Sequence, residues 1–128
     1  MVKYRFDPHA PVIVLSVTTE GEDIEKMIEM ALDTGATYTM IPWEVAEVLG
    51  YDPGASRDRV PLITASGVEK VPLITLKSIS VLGKDADNVQ TVVHNLPEKS
   101  YVDGLLGLSF LRRFKICLNF QNGVLEIE

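Results

Sequence analysis

The sequence is short of cysteine, of aromatic residues and of positive charge. Cys117 is the only cysteine, so the chain can form neither an intrachain disulfide nor a cysteine-rich metal site. A single cysteine is typical of proteins from a reducing compartment. Aromatic residues make up 7% of the chain, and the formal net charge is −6. Nucleic acids and anionic membranes attract clustered lysine and arginine, so we expect neither of them as a main partner.

Long apolar runs and secretory features are also missing. No stretch approaches the roughly 20 apolar residues that a membrane-spanning helix needs. The first residues, MVKYRFDPHA, are charged and contain proline, a layout unlike that of a secretory leader. We therefore expect a soluble, cytoplasmic protein. Its length fits one domain, residues 1–128, whose modest core a partner subunit would help to stabilise.

Most of the remaining pattern predicts β-strands. Stretches rich in Val, Ile, Leu and Thr occupy residues 12–19, 60–82, 89–95, 114–120 and 124–127. The break at residues 65–67 predicts a hairpin tip, and Asn122-Gly123 predicts a hairpin between the last two strands. Residues 25–32 alternate partly, but their Met and Glu content also suits a helix, so both structures remain open.

Two segments favour short helices. Residues 41–50 carry Pro42 where it suits the first helical turn, Glu44 near the positive N-terminal end, and Gly50 where a helix stops. Residues 108–114 can form a second short helix. Taken together, the elements predict a mainly β domain with one or two short helices.

The triplet Asp33-Thr34-Gly35 combines residues that suit catalysis. It follows the apolar stretch Met30-Ala31-Leu32 and precedes the small residue Ala36. An aspartate can activate water, a threonine hydroxyl can hold a loop in place, and a glycine lets the backbone approach a ligand closely. The same three residue types are common in plain turns, so the triplet alone does not separate a catalytic loop from a turn.

A second motif makes the first one more specific. Leu105-Leu106-Gly107 lies far along the chain from Asp33 and leads into the second short helix. The two motifs together resemble the retropepsin family of aspartic proteases, and the resemblance covers most of the chain. Residues 31–36 resemble the catalytic loop, residues 60–76 the flap hairpin, and residues 103–108 the second family motif.

The resemblance implies a fold and a mechanism. The fold would be a closed, β-barrel-like acid protease domain with a flap, and the protein would be a homodimer. Each chain would contribute one Asp33 to a pair of carboxyl groups that activates water for peptide hydrolysis. Two carboxylates in contact share a proton because they cannot both ionise cheaply. Thr34 would hydrogen bond across the dimer axis, and Gly35 would bring backbone close to the substrate. No metal and no cofactor is implied.

The resemblance also implies which residues contact a peptide or protein substrate. They are Ala36, the flap tip Ala65, Ser66 and Gly67, and the pair Leu105 and Leu106. The flap carries one glycine where retroviral flaps carry several, which suggests a stiffer hairpin.

Some positions depart from the retroviral pattern. Leu108 and Ser109 stand where retroviral proteases carry Arg and then Asn or Asp, so the arginine anchor of that subgroup is absent. Retroviral chains stop soon after the strand that matches residues 116–120 and use that end in the dimer sheet. This chain continues through residues 121–128, which leaves the form of its dimer interface open. Two alternatives to a homodimeric peptidase remain. One is a dimerisation or peptide-binding module with little or no proteolysis, and the other is a β-barrel with an accidental Asp-Thr-Gly turn.

Five other residues have simpler interpretations. Asp103 could serve as a second catalytic carboxylate within the chain, but a turn or capping role suits it better. His9 and His94 lack companions at metal-ligand spacing and are expected to be ordinary loop or strand residues. We expect Trp43 to belong to the core. Cys117 lies in an alternating stretch and is expected to be a buried thiol rather than a nucleophile.

Overall fold

A computed structural model describes residues 1–128 and contains ten β-strands and two short α-helices. The strands are β1 Val2–Arg5, β2 Val14–Glu20, β3 Glu25–Leu32, β4 Thr39–Ile41, β5 Arg59–Thr64, β6 Gly67–Val81, β7 Lys84–Val93, β8 Gly104–Leu106, β9 Ile116–Asn119 and β10 Val124–Ile127. The helices are α1 Trp43–Val48 and α2 Leu108–Leu111, and a 3-10 turn spans Pro53–Ala55. This architecture confirms the predicted mainly β fold. Neither helix has the length and apolar character needed to cross a membrane.

Six strands form a closed barrel. Their hydrogen-bonded order is β2-β3-β8-β4-β7-β6, and β2 closes the ring by pairing with β6. The closure depends on the length of β6, a 15-residue strand. Its first part pairs with β5 as a hairpin outside the ring, and its later part pairs with β7 and β2 inside it. One strand thus belongs to both the barrel and the hairpin.

A separate sheet has the strand order β1-β10-β9. The hairpin that Asn122-Gly123 predicts is present: β9 and β10 pair antiparallel, with Asn119 opposite Val124. The N-terminal strand β1, which the sequence analysis did not predict, pairs with the other side of β10. The residues beyond Asn119 therefore complete a sheet within the same chain.

Two apolar clusters fill the protein. The larger one lies inside the barrel and beneath the second sheet, and it includes the fully buried Phe110 and Met30. The smaller one is built from Met40, Val71 and Val92, with half-buried neighbours around them. The clusters join secondary elements from both ends of the chain. The short strands β4 and β8 contribute residues to both clusters, and this packing fixes their position.

The structure decides several local questions from the sequence. Residues 25–32 form strand β3 of the barrel. The alternation favours a strand because Ile28 and Met30 point into the core while Glu29 faces solvent. Gly50 adopts a φ of 96° just after α1, as expected for a residue that ends a helix. Pro42, however, is the N-cap of α1 and not part of its first turn. Trp43 is half-buried and packs against the main cluster.

The prediction that Cys117 is buried is wrong. Cys117 is exposed, whereas its neighbours Ile116 and Leu118 are half-buried against the main cluster. Successive side chains of a strand point to opposite faces, and the larger apolar side chains on either side of the cysteine occupy the inner face of β9. Cys117 therefore lies on the outer face.

Candidate active site

Asp33 lies immediately after β3, beside the second motif. Strand β3 runs parallel to β8, with Leu32 opposite Leu106. The backbone N–H of Asp33 donates to the carbonyl of Leu106 at 3.0 Å. The two motifs that are far apart in sequence are therefore adjacent in the fold.

One hydrogen bond holds the Asp33 carboxylate, and a second holds the Asp33 backbone. The N–H of Gly35 donates to Asp33 Oδ1 at 2.9 Å, and the N–H of Ala36 donates to the Asp33 carbonyl at 3.2 Å. Oδ2 of the same carboxylate has no hydrogen-bond partner within the chain. Asp33 is half-buried, whereas Thr34 and Gly35 are exposed. The loop thus fixes the orientation of a carboxylate whose second oxygen is free for another group.

Gly107 lets the second motif pack tightly on the loop after Asp33. A β-carbon at Gly107 would lie 2.6 Å from the Tyr38 carbonyl oxygen and 2.7 Å from that of Ala36. Next to it, the N–H of Leu108 donates to the Ala36 carbonyl at 2.8 Å. Only a residue without a side chain fits here, because the neighbours are backbone atoms that cannot move aside.

A hydroxyl pair connects the same two segments. The N–H of Gly107 donates to Thr39 Oγ1 at 3.2 Å, and the hydroxyl of Ser109 donates to the same oxygen at 3.1 Å. Ser109 Oγ in turn accepts the N–H of Thr39 at 2.8 Å. Ser109 stands where retroviral proteases carry Asn or Asp, and this short network ties the start of α2 to the first residue of β4. The sequence analysis missed Thr39, because a threonine at the start of a short strand gives no local signal of a distant partner.

An open cavity of about 440 Å³ lies beside Asp33. Asp33 and Thr34 lie on one wall, together with Leu105. The rest of the lining comes mainly from residues 6–8 and 10–13, from Leu118 in β9 and from Phe120 just after it. The lining is mainly apolar, with the carboxylate of Asp33 among its few polar groups.

A second apolar cavity, of about 420 Å³, borders the first. The two share Val12, Ala31 and Leu105, and the second is completed by residues 96–102, in which Tyr101 is 82% exposed. Leu105 is thus the side chain of the Leu105-Leu106 pair that faces the cavities. Leu106 is 1% exposed and belongs to the main cluster, so its side chain cannot reach a substrate and its contribution is the carbonyl that receives the Asp33 N–H.

The hairpin β5–β6 is rooted beside this region. Val60 and Leu62 pack against the cluster of Met40, Val71 and Val92, which Leu105 also contacts. At the other end, Thr64 is paired with Gly67, so Ala65 and Ser66 form an exposed two-residue tip. The predicted tip is present.

Asp103 is not a partner for Asp33 within the chain. It lies beside Glu29, where its N–H donates to the Glu29 carbonyl at 2.8 Å and its Oδ2 accepts the Glu29 N–H at 3.1 Å. Glu29 precedes Asp33 by four residues of extended chain, which corresponds to about 13 Å at roughly 3.3 Å per residue. Asp103 therefore joins β3 to the start of β8 rather than completing a carboxyl pair.

Both histidines lie outside the strands and helices. His9 is in an exposed turn, where its N–H donates to Asp7 Oδ1 at 2.9 Å, and His94 follows β7. No group of three or more His, Cys, Asp or Glu side chains is placed to hold a metal ion.

Comparisons with known proteins agree with this geometry. A model of the family described as "gag-polyprotein putative aspartyl protease" matches residues 19–113. An "Uncharacterized protein in cobV 5'region" from Sinorhizobium sp. is 33% identical over 97 residues, which are 75% of this chain and 39% of that protein. The chain therefore spans about two fifths of the length of this curated relative.

A solved structure has the same fold. The crystal structure of a retropepsin-like aspartic protease from Rickettsia conorii superimposes with a TM-score of 0.74 at 24% identity. The match covers 98% of this chain and 88% of that one. The predicted retropepsin-like fold is thereby confirmed.

Proposed function

The chain belongs to the family of gag-type, retropepsin-like aspartyl proteases, and on this premise we propose that it is an aspartic endopeptidase that acts as a homodimer. One observation carries the proposal: the Asp33 carboxylate is oriented by Gly35, while its second oxygen is unpaired beside an open, mainly apolar cavity. Apolar walls that exclude water strengthen the interactions of such a group with a reacting bond.

The chemistry requires a second carboxyl group. One ionised carboxylate takes a proton from water, while a protonated partner donates a hydrogen bond to the peptide carbonyl oxygen and polarises it. The water oxygen then bonds to the carbonyl carbon, the C–N bond breaks, and the leaving amine takes up the proton that the carboxylate had removed from water. Two carboxyl groups in contact hold one proton between them, which supplies both forms at once. Because Asp103 is remote, the second group comes from Asp33 of another copy.

The remaining residues receive supporting roles in the proposal. Thr34 is exposed next to Asp33 and hydrogen bonds across the dimer axis. Ala36 and Leu105 contact the substrate beside the carboxyl pair. The tip of the β5–β6 hairpin, at Ala65, Ser66 and Gly67, closes over a bound peptide, as lids do in other enzymes. The substrate is a peptide or protein segment held in extended form along the cavities.

We also propose a cytoplasmic location. The support is the chemistry of Cys117, an exposed thiol with no intrachain disulfide partner, which persists most readily in a reducing compartment.

The test is a peptide-library cleavage assay on the wild type, Asp33→Asn and Asp103→Asn. We expect Asp33→Asn to lose cleavage by at least about a thousandfold, because an amide cannot accept the proton from water. Asp103→Asn is the matched control, since its amide oxygen can still accept the Glu29 N–H. Cleavage by Asp33→Asn at the wild-type rate would refute the proposal. Tight peptide binding without cleavage by the wild type would favour a binding module instead.

A further inference from the structure

The cavity beside Asp33 contains a second charged group, the carboxylate of Asp7. Asp7 and Asp33 are the two ionisable side chains in its lining, and both are acidic. Asp33 acts on the reacting bond in the proposed function, whereas Asp7 has no role there. The cavity, at about 440 Å³, has a volume within the roughly 300–1,000 Å³ of ligand pockets. A carboxylate in such a cavity can bind a group of opposite charge.

A turn holds Asp7 and leaves one of its oxygens unpaired. Asp7 Oδ1 accepts the N–H of His9 at 2.9 Å, and the Asp7 carbonyl accepts the N–H of Ala10 at 3.1 Å. Oδ2 accepts no hydrogen bond within the chain. No ion pair includes Asp7; the ion pairs of the chain are Lys3–Glu126, Lys77–Glu20 and Lys115–Glu128. The carboxylate is thus oriented by the turn and available to a ligand.

The segment that carries Asp7 is attached to the second sheet. The N–H of Phe6 donates to the carbonyl of Gly123 at 2.8 Å. A β-carbon at Gly123 would collide with the Phe6 carbonyl oxygen, so the two backbones are in close contact. The ring of Phe6 also contacts Phe120 edge-to-face, with ring centroids 6.2 Å apart. Asp7 therefore follows a residue whose backbone and side chain are both fixed.

The walls next to Asp7 suit a long side chain that ends in a cation. Phe6, Pro8, Leu118 and Phe120 line the cavity, and Phe120 is 62% exposed. Lysine and arginine pack their methylene groups along apolar surface while the charged end binds a polar group. Aromatic rings also attract cations to their faces. An acidic side chain would instead meet two carboxyl groups of its own sign.

We propose that this cavity selects substrates that carry an arginine or lysine side chain, whose cationic end pairs with Asp7. Arginine fits best, because its planar guanidinium can bind a carboxylate and stack on an aromatic ring. The inference rests on the proposed function and names the substrate class of the same site. Asp7 determines specificity and takes no part in breaking the bond.

The neighbouring cavity has the opposite charge. Lys99 is the charged side chain in its lining, which also includes Tyr101. A basic substrate residue is therefore attracted to the first cavity and repelled from the second. Leu105 lines both cavities, so a peptide that crosses Leu105 meets one carboxylate side and one ammonium side. This difference sets the direction in which a substrate with one basic residue lies.

The size of the first cavity limits where the basic residue stands in the substrate. A sphere of this volume is roughly 9 Å across, and an extended peptide advances roughly 3.3 Å per residue. Because Asp33 lines the same cavity, the basic residue should lie within about three residues of the cleaved bond. The net charge of −6 also attracts basic peptides to the protein at long range.

The test uses two peptides that differ in one charge. We expect peptides cleaved from a library to be enriched in arginine or lysine at one position near the cleaved bond. Replacing that residue by citrulline, a neutral side chain of nearly the same shape as arginine, should lower kcat/KM by at least about tenfold, as expected for the loss of a charge-assisted hydrogen bond. Equal kcat/KM values for the arginine and citrulline peptides would contradict the proposal.

Variants of Asp7 test the residue itself. Asp7→Asn should cleave the arginine peptide no better than the citrulline peptide, although its amide oxygen can still accept the His9 N–H. The loss should appear mainly in KM, because the pair forms equally in the bound substrate and the transition state. Asp7→Lys should favour a glutamate peptide over the arginine peptide.

Asp85→Asn is the matched control for the loss of one negative charge. Asp85 is exposed on β7 and lines neither cavity. This variant should keep the wild-type ratio of kcat/KM for the arginine and citrulline peptides. A ratio that is retained in Asp7→Asn, or that falls equally in Asp85→Asn, would reject the role of Asp7.

Binding to Asp33→Asn separates this inference from the proposed function. Fluorescence anisotropy with the two labelled peptides measures affinity in this variant without cleavage. Tighter binding of the arginine peptide that is lost when Asp7→Asn is added would keep the inference even if the wild type cleaves no peptide. Cleavage that depends on Asp33, without any preference for arginine or lysine, would keep the protease and reject the role of Asp7.

Discussion

The side chain of Thr39 connects β4 to the segment that contains Gly107 and Ser109. It is 0% exposed, and its hydroxyl oxygen accepts both the Gly107 N–H and the Ser109 hydroxyl. Asp33 is likewise held by two hydrogen bonds, one from the Gly35 N–H to its carboxylate and one from its own N–H to the Leu106 carbonyl. At this scale the site depends on a few buried polar atoms that connect the two motifs, and the loss of one leaves a partner unpaired.

Thr39→Val tests this dependence, because it keeps the shape of the side chain and removes the oxygen. We expect the free energy of unfolding to fall by about 1–3 kcal/mol, since the Gly107 N–H is left buried without an acceptor. We also expect weaker peptide cleavage, because Gly107 and Ser109 of the second motif region lose their hydrogen bonds to β4 beside the Asp33 loop.

The matched control is Thr39→Ser, which keeps the oxygen and loses a methyl group. Urea unfolding monitored by circular dichroism measures both variants. Equal stabilities for the valine and serine variants would show that the hydroxyl network does not hold the motifs together.

At the scale of secondary elements, the connection between β8 and α2 is the tightest in the site. Gly107 follows β8 directly and is the N-cap of α2, and its α-carbon faces the carbonyl groups of Ala36 and Tyr38. The α2 helix has only four residues, so its position depends on this contact and on the burial of Phe110 and Leu111.

Gly107→Ala should therefore destabilise the protein by about 1–3 kcal/mol or more, because a methyl group must displace backbone. The control is Gly54→Ala, where the nearest atom to the new methyl group would be Asp52 Oδ1 at 3.7 Å. The midpoints of urea unfolding compare the two. A Gly107→Ala midpoint equal to that of Gly54→Ala would mean that α2 shifts without cost.

Elements with local turn chemistry could be predicted from the sequence, whereas elements defined by distant partners could not. The tip at Ala65-Ser66 and the hairpin at Asn122-Gly123 were predicted because turn residues interrupt apolar stretches. The first half of β7 was missed, since Lys84, Asp85 and Asp87 have low strand propensity and only Ala86 between them is buried. Strand β1 was missed because it has four residues, and its two apolar residues Val2 and Tyr4 are too few to form an apolar stretch.

The candidate site shows the same division. Asp33, Thr34 and Gly35 were identified because three chemically useful residues are adjacent in sequence. Thr39 was missed because its partners lie about seventy residues away. Leu106 was expected to contact substrate, but parallel pairing with β3 directs its side chain into the core while Leu105 faces the cavities. A pattern of two leucines cannot tell which of them points inward until the register is known.

At the scale of the whole molecule, one chain contains half of the proposed catalytic machinery. Activity per mole of enzyme should therefore rise with enzyme concentration until the dimer is saturated, because the carboxyl pair exists only in the dimer. Peptide cleavage across a dilution series, compared with sedimentation velocity under the same conditions, measures this. Full specific activity from a monomer would contradict the shared site.

Thr34→Ala should shift that dilution curve to higher concentration. The exposed hydroxyl beside Asp33 is proposed to hydrogen bond across the axis, and a loss of about 1.4 kcal/mol corresponds to a tenfold weaker dimer. Thr75→Ala, at an exposed position on the barrel wall, is the matched control. Identical dimer affinities for the two variants would remove the proposed role of Thr34.

The parallel pairing of β3 with β8 also sets when the site can form. The hydrogen-bonded residues Glu29 and Asp103 are 74 positions apart in sequence, and contacts between such distant segments are made slowly because a long loop must close first. A growing chain that has reached Asp103 on the ribosome already contains Asp33 but lacks the strand that holds it. The Asp33 carboxylate is therefore held in its site only after residues 104–106, which form β8, have been synthesised.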